Sequence, residues 1–515
     1  MADPEQQVRD WLTAYTAPTT TVAHLLCDRH DPARTAVTEV APDLSATTLT
    51  FGDLAHRSTA LAAVLAGRGV GAGDRVATLL PLGTELTVTA VAVWRLGAVL
   101  VPLPPVLAAS AVDQRLRQAA ARTVVCTGDQ TAKLAPDAVQ AVVAVDRDAP
   151  AAETGQAPEP AAAAPDAPLL ISHTPGVAGP PRQITVPVRA LAAFHAHHHY
   201  GLGVRDDDVY WCFSEPGDPH GLYYGLISPL LAGHACLHLR AGFDPELTLD
   251  VMETFGVTRL AAAPTVYRAL RTATKTLPPE IMVRSLASNG DALRTDLTDW
   301  ALGTFGVGIS DHYGNAESGI VAVGDGHGGP LTALPGFTLA VLDPLSDTPA
   351  ETGTVGRVAV DTATSPAWWF DGYSDDPLAS ARRFSPDRRW YLTGDTGTVD
   401  EYGAVHLTRR DGEVIITSGY RIGPYDVESV LLGHEAVDEV AVYGVPDPAR
   451  GALVAANVVT APGVSPTPEL AEELKRLVAE RFAEAAVPQR LTFVAHLPKT
   501  ASGKLRRNRL RASAA

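Results

Sequence analysis

An α/β fold in two units is what this chain predicts, on three observations. Short β-rich runs alternate with stretches of helical apolar spacing to about residue 400, the signature of strands and helices in layers. Near Arg410 to Gly412 a charged pair and a glycine follow the turn DEYG, after which a compact pattern of strand and helix signals resumes. At 515 residues the chain also exceeds what one ordinary core organises. The expected division is therefore a large unit over 1–411 and a small one over 412–515.

In chain order, AHRSTALAAVLAG (55–67) has helical apolar spacing, and RVATLL (75–80) and AVLVPL (98–103) read as buried strands. From Asp148 to Ala167 the sequence is DAPAAETGQAPEPAAAAPDA, which cannot build a core and is expected to be a solvated loop. LHLR, a helix ending near FGV, and TRLAAAP continue the alternation. In the small unit, VIIT, a helix from Tyr425, DEVAVYGV and the amphipathic PELAEELKRLVAERFAEA follow one another. No internal repeat is present.

Apolar residues make up 46% of the chain and charged residues 19%, ample for a folded core. The formal charge of −17 argues against a nucleic-acid surface, so anionic ligands must be held by local sites. The four cysteines, Cys27, Cys126, Cys212 and Cys236, are too few and too scattered for a disulfide framework, and the expected compartment is a reducing cytoplasm. The start MADPEQQVRDW is acidic and polar, unlike a signal peptide. Arg95, Pro102, Pro104 and Pro105 break the most apolar stretch, Val88 to Ala109, so no membrane passage is expected. No oligomeric state is read from the sequence.

Several segments carry candidate chemistry. SHTPGVAGPPR (172–182) has the glycine and proline spacing of a loop that turns backbone N–H groups toward an anion, though the same composition makes an ordinary surface loop. SDHYGNAESG (310–319) offers Tyr313 for stacking on a purine and the Glu317 carboxylate for a hard cation such as Mg²⁺; a polar loop capping a helix reads the same way. In YLTGDT, Asp395 follows a glycine at a strand end and can accept from two adjacent ribose hydroxyls, or simply form a turn. Arg410 is either a sugar or phosphate partner or a solvated arginine. The tail LPKTASGKLRR puts Lys504 behind Gly503, as a swinging cation needs, and is equally a solvated basic run.

These pieces, in this order, resemble the acyl-adenylate-forming superfamily, and within it the medium-chain, benzoate-type and acetate-type CoA ligases. LTFGDL (49–54), GAVLVPLPP (97–105), TPGVAGPPR, SNGDAL (288–293), YGNAE, TGD, SGYRIGP and PKTASGK all carry the likeness, which covers nearly the whole length. The resemblance implies a large N-terminal domain of layered β-sheets and helices with a small, mobile C-terminal α+β lid. It implies that Thr174, Gly176, Gly179 and Arg182 serve the phosphates, and that Gly290, Asp291, Ala292, Asp311, His312, Tyr313, Gly314, Asn315 and Ala316 surround the nucleotide. Asp395 would take the ribose hydroxyls and Arg410 the ribose or phosphates, and Glu317 would hold Mg²⁺. His220, Tyr223 and Tyr224 would lie by the acyl pocket. Ser418, Gly419, Tyr420 and Arg421 would shape the acceptor channel, Gly412 would be the hinge, and Lys504 would bridge the acid and the α-phosphate.

The implied reaction uses ATP to convert a carboxylic acid to an acyl-adenylate, from which the thiol of CoA displaces AMP. The chain departs from the family pattern at phosphate handling. Pro175, Val177 and Ala178 stand where small hydroxyl residues are usual, Arg182 stands for a lysine, and Ala316 for a threonine. Gly412 replaces the hinge Asp or Lys, and Ala485 and Ala486 replace an aromatic-lysine pair. The alternatives are adenylation with a carrier-protein thiol or an amine as acceptor, adenylation of an unusual oxyacid such as nitrite, and a degenerate nucleotide-binding homologue.

Overall fold

A computed structural model describes residues 3–146, 159–162, 164–174, 181–214, 218–274, 277–290, 293, 295–344, 346–409, 415–418, 420–447, 450–498 and 510. Its first large sheet has six strands in the order Ala141–Ala144, Thr123–Cys126, Arg75–Leu79, Val99–Pro102, Pro168–His173 and Gln183–Pro187, parallel except for the final hairpin. Thr123–Cys126 and Val99–Pro102 are buried at every position, as strands covered on both faces must be. Phe51–Gly67 is one of the helices in this layered arrangement; it starts at a capping box in which the Thr50 hydroxyl and the Asp53 carboxylate each satisfy the other's backbone N–H.

The second six-stranded sheet runs Thr332–Ala333, Gly319–Val323, Ile309–Asn315, Ser285–Asn289, Arg259–Ala262 and Tyr210–Phe213. Its last four strands are parallel, and Ile309–Asn315 turns back antiparallel into Gly319–Val323. An antiparallel sheet of Leu339–Leu342, Gly356–Asp361, Trp390–Val399 and Val405–Arg409 follows. SDHYGNAESG runs along the strand Ile309–Asn315 into the turn after it, where α/β folds place ligands, whereas YLTGDT, expected at a strand end, lies within the long strand Trp390–Val399.

After residue 414 the hairpin Ile415–Thr417 and Tyr420–Ile422 leads to Pro424–Leu432, then to the sheet Val437–Asp447, Gly451–Thr460, Arg490–Phe493 and the helix Pro468–Arg481. Val427, Leu431, Val442, Val454, Leu474 and Val478 form its own core. This part touches the large one along a narrow seam. The Ala108 N–H donates to the Phe482 carbonyl at 2.6 Å, and the Arg115 guanidinium lies 5.8 Å from the Phe482 ring centroid.

One expectation needs correction. The described end of the Ala- and Pro-rich stretch is not simply solvated: the Ala161 N–H donates to the Arg95 carbonyl, and Ala162 bridges Thr21. Alanine has no side chain that resists close approach, and Gly97, at φ +64°, leaves room for the Ala161 methyl. Residues 147–158 lie outside the described set. Among the described residues no helix is long and apolar enough to cross a membrane, and all four cysteines are free and buried.

Candidate active site

The site is built on the turn between Ile309–Asn315 and Gly319–Val323. Two glycines make that turn possible. A methyl on Gly314 would meet the Gly319 carbonyl oxygen at 1.9 Å, and Gly319, at φ +66°, would bring one within 2.7 Å of the Tyr224 hydroxyl. Inside the turn the Asn315 Oδ1 accepts from the Ser318 N–H at 2.9 Å, so the backbone is fixed by its own side chain.

Two cross-links tie this strand to Trp390–Val399. The Tyr313 hydroxyl donates to Asp395 Oδ2 at 2.7 Å, and Asn315 Nδ2 donates to the Tyr391 hydroxyl at 3.0 Å. Tyr313 and Asp395, widely separated in the sequence, thus meet. The ring of Tyr313, expected to offer a stacking face, is only 2% exposed and belongs to the core. Its hydroxyl is an orienting group for the Asp395 carboxylate.

Glu317 is buried, and its carboxylate is already engaged. Its Oε1 accepts from the Tyr373 hydroxyl at 2.5 Å and lies 3.5 Å from Arg383 Nη2. Arg383 Nε also donates to the Tyr373 hydroxyl at 3.2 Å, and its Nη1 to the Thr393 carbonyl at 3.2 Å. The carboxylate beside Tyr373 helps burial push the phenol upward, and the surrounding groups raise the guanidinium further. A hard divalent cation takes several unprotonated oxygens. For Mg²⁺ one or two protein carboxylates with substrate phosphates and waters supply them, and the contacts above engage Glu317 through Oε1. Glu317, expected to hold Mg²⁺, lies beside Arg383 in this structure.

Arg182 is likewise paired. Its Nε sits 3.0 Å from Asp376 Oδ2, and its guanidinium lies 5.2 Å from the Tyr373 ring centroid. Its backbone closes the base of the candidate phosphate loop: Thr174 N–H donates to the Arg182 carbonyl at 2.9 Å, and Arg182 N–H to Thr174 Oγ1 at 3.0 Å. Tyr373 and Arg383 carry most of this arrangement and went unnoticed in the sequence, where the Arg382-Arg383 pair just ahead of YLTGDT was their visible signal.

His312, expected around the nucleotide, lies against His197. Successive side chains of a strand face opposite ways, and His312 Nδ1 lies 2.7 Å from Nε2 of His197. The His197 ring lies 4.2 Å from that of Tyr224, which in turn lies 4.9 Å from His220. Burial drives His312 down to about 3 and His197 well below its usual range, so both are neutral. The Tyr224 hydroxyl accepts from the Ile320 N–H at 2.6 Å, and Tyr223 stacks on Phe194 with centroids 4.4 Å apart. The expected acyl-pocket trio, His220, Tyr223 and Tyr224, is thus one cluster, with His197 and His312 as members the sequence did not reveal. The run FHAHHHY was the available signal.

Asp311 lines a separate cavity of about 280 Å³ with Thr298, Gly324, Leu331 and His406. Gly290 follows the strand Ser285–Asn289 at φ +91°. Ala316 offers its carbonyl to the Tyr223 hydroxyl at 3.2 Å. Of the acceptor-channel residues, Ser418 adopts φ +48° in the hairpin turn and donates its N–H to the Arg450 carbonyl at 2.9 Å. Tyr420 lines a cavity of about 110 Å³ at the seam with His173, Thr174, Asp218, Ala485 and Ala486. The alanine pair leaves open the space that two longer side chains would fill. Gly176, Gly179, Asp291, Ala292, Arg410, Gly412, Gly419 and Lys504, and the side chain of Arg421, lie outside the described residues.

Comparison with known proteins places this geometry. The model of the AMP-binding enzyme family matches residues 27–373, and that of the AMP-binding enzyme C-terminal domain matches 426–504. The chain is 28% identical over 489 residues to the acetyl-coenzyme A synthetase of Bacillus subtilis (strain 168), covering 90% of this chain and 84% of that one. It is 30% identical over 483 residues to the human mitochondrial acyl-coenzyme A synthetase ACSM4, covering 86% and 80%. Among solved structures, an acyl-CoA synthetase of Brucella canis superposes with a TM-score of 0.73 at 35% identity and 99% coverage of both chains. The amide bond synthetase McbA from Marinactinospora thermotolerans gives 0.81 at 26% identity, covering 96% and 99%. The chain belongs to the AMP-binding enzyme family.

Proposed function

We propose that the chain uses ATP to convert a carboxylic acid to an acyl-adenylate and then transfers the acyl group to the thiol of CoA. The observation that carries this reading is the hydrogen bond between Tyr313 and Asp395, which joins strands of two sheets next to the turn that carries Glu317, in a chain whose relatives are acetyl- and acyl-CoA synthetases.

A carboxylate is a poor electrophile, and its attack on the α-phosphorus of ATP creates an anhydride with AMP as a good leaving group. Pyrophosphate departs in that step. In the second step the thiol adds to the acyl carbon, AMP leaves with the bonding pair, and the thiol proton is released. In this reading Asp395, oriented by Tyr313, accepts from the ribose hydroxyls. Thr174 and the backbone of Arg182 hold the base of the phosphate loop. Lys504 is assigned the charge that builds between acid and α-phosphate, and its position on the small C-terminal part lets it withdraw before the thiol arrives. The packed Phe194, Tyr223 and Tyr224 support a small acid.

The test is incubation of the purified chain with ATP, Mg²⁺, CoA and a panel of carboxylic acids. Acid-dependent release of AMP and pyrophosphate with formation of a CoA thioester is expected. The likeness to an amide bond synthetase favours one second reading, an amine acceptor; AMP release with an amide and no thioester would establish it over the first.

A further inference from the structure

The two parts of the chain meet end to end at two helices. The Ser110 hydroxyl, in the first turn of Ala109–Ala119, donates to the Arg481 carbonyl at 2.6 Å, the Ala108 N–H donates to the Phe482 carbonyl at 2.6 Å, and Leu107 pairs with Ala483 in an antiparallel bridge. A helix leaves its last carbonyls unpaired by its own backbone, so the end of Pro468–Arg481 finds across the seam the donors that its own helix cannot supply. The start of one helix dipole thereby adjoins the end of another, opposite in sign. Arg115 adds a side chain to the same contact: it is buried, its Nη1 donates to the Ala111 carbonyl at 3.2 Å, and its guanidinium lies over the Phe482 ring. Asp426 of the small part, also buried, counters part of what burial costs the Arg115 charge. A further contact is made by Gly451, where a methyl would meet Thr265 Cγ2 at 2.1 Å.

Arg115 and Phe482 line the seam cavity of about 110 Å³, and in it Tyr420 of the small part stands with Thr174 and Asp218 of the large one. Thr174 closes the base of the candidate phosphate loop, and Asp218 accepts from the His220 N–H at 3.2 Å, so the docked seam sets a residue expected in the acceptor channel beside both the phosphate loop and the acyl cluster. We propose that Ser110 and Arg115 are positioning residues for the acceptor step: they dock the small part, through Arg481 and Phe482, in the placement that admits the acceptor. In the two-step reaction proposed above, on which this inference rests, Lys504 withdraws before the thiol arrives, and a small part pinned at this seam is in the withdrawn placement. Gly412, where the resemblance implies Asp or Lys, has no side chain to hold either placement, so the hold falls to the seam. Adenylation therefore requires the seam to open.

The test closes the seam covalently. Residues facing each other in an antiparallel bridge have Cα atoms about 4.5–5.5 Å apart, within the span of a disulfide, and the four native cysteines are buried. Leu107→Cys combined with Ala483→Cys should therefore form a disulfide under mild oxidation. Relative to its reduced form, the oxidised double variant is expected to lose acid-dependent pyrophosphate exchange into ATP at least about tenfold, and to convert supplied acyl-AMP to thioester within about twofold of the same rate. Arg115→Gln needs no cross-link and guards against a folding defect in the cysteine pair. It should slow conversion of acyl-AMP at least about fivefold more than it slows pyrophosphate exchange, with Ser110→Ala acting in the same direction more weakly; a general weakening of the fold would slow both half-reactions alike. Failure of the disulfide to form, unchanged exchange in the oxidised form, or equal slowing of the two half-reactions in Arg115→Gln would each overturn the proposal. Absence of acid-dependent exchange in the wild type would instead overturn the adenylation reading.

Discussion

Two buried polar clusters share the strand Ile309–Asn315 and the turn after it, and they treat charge in opposite ways. Around Glu317 the charge is kept: a carboxylate, a guanidinium and a phenol share one network. Around His312 it is removed, because His197 and His312 hydrogen-bond to each other among Tyr224 and His220 and burial holds both imidazoles neutral. His197 Nδ1 and His312 Nε2 are buried with no hydrogen-bond partner, tolerable for neutral rings and prohibitive for charged ones. The difference separates two tasks. Ionised groups stand where phosphates are proposed to bind, and an uncharged aromatic wall stands where the acid is proposed to lie.

The comparison can be broken in several places. The largest effect should come from Lys504→Ala, which removes the proposed mobile cation: adenylation should fall about 10²–10³-fold while supplied acyl-AMP is still converted to thioester. Rapid-quench measurement of the two half-reactions checks this, and equal loss of both would contradict the assignment.

Acid should act next, and through the neutral cluster. His312 is lowered to about 3 and His197 well below its ordinary range, while the unfolded chain titrates them near 6.5. A depressed folded pKa means stability that is complete above about pH 6.5 and is lost as the pH falls toward the folded values. Each histidine should contribute a slope of about 1.4 kcal/mol per pH unit below that point. Denaturant titrations between pH 7.5 and 4.5 (about three units spanning the transition) measure it; a flat profile would mean that these imidazoles are charged in the folded protein.

Smaller effects follow from single side chains. Tyr224→Phe removes the acceptor of the Ile320 N–H and should cost about 1–3 kcal/mol, read from the denaturation midpoint. His197→Phe strands the partner nitrogen of His312 and should cost about 1–3 kcal/mol, whereas removing both imidazoles together should cost less than the sum of the two single changes. Strict additivity would show that the pair does not interact.

Much of this was legible in the sequence because it is local. The strands at 75–79 and 99–102 and the helix at 51–67 follow from apolar spacing within one window. YGNAE and TGD could be read as parts of one site, and the Tyr313 to Asp395 hydrogen bond joins them. What the sequence concealed depends on long-range contacts. His197 and His312 are 115 positions apart, and Glu317 and Tyr373 are 56 apart, so nothing in either neighbourhood announces its partner. Glu317 shows the same: nothing in its segment announces the arginine that the structure places beside its carboxylate. The Ala161 and Ala162 contacts were hidden by composition, since a stretch that builds no core can still be pinned by its backbone.

The account stands most directly on acid-dependent exchange of labelled pyrophosphate into ATP, which reports the adenylation step without reference to the acceptor. Exchange that requires a carboxylic acid and falls at least about a hundredfold in Lys504→Ala is the expected result. A folded protein that binds a nucleotide analogue but exchanges no pyrophosphate with any carboxylic acid would contradict it.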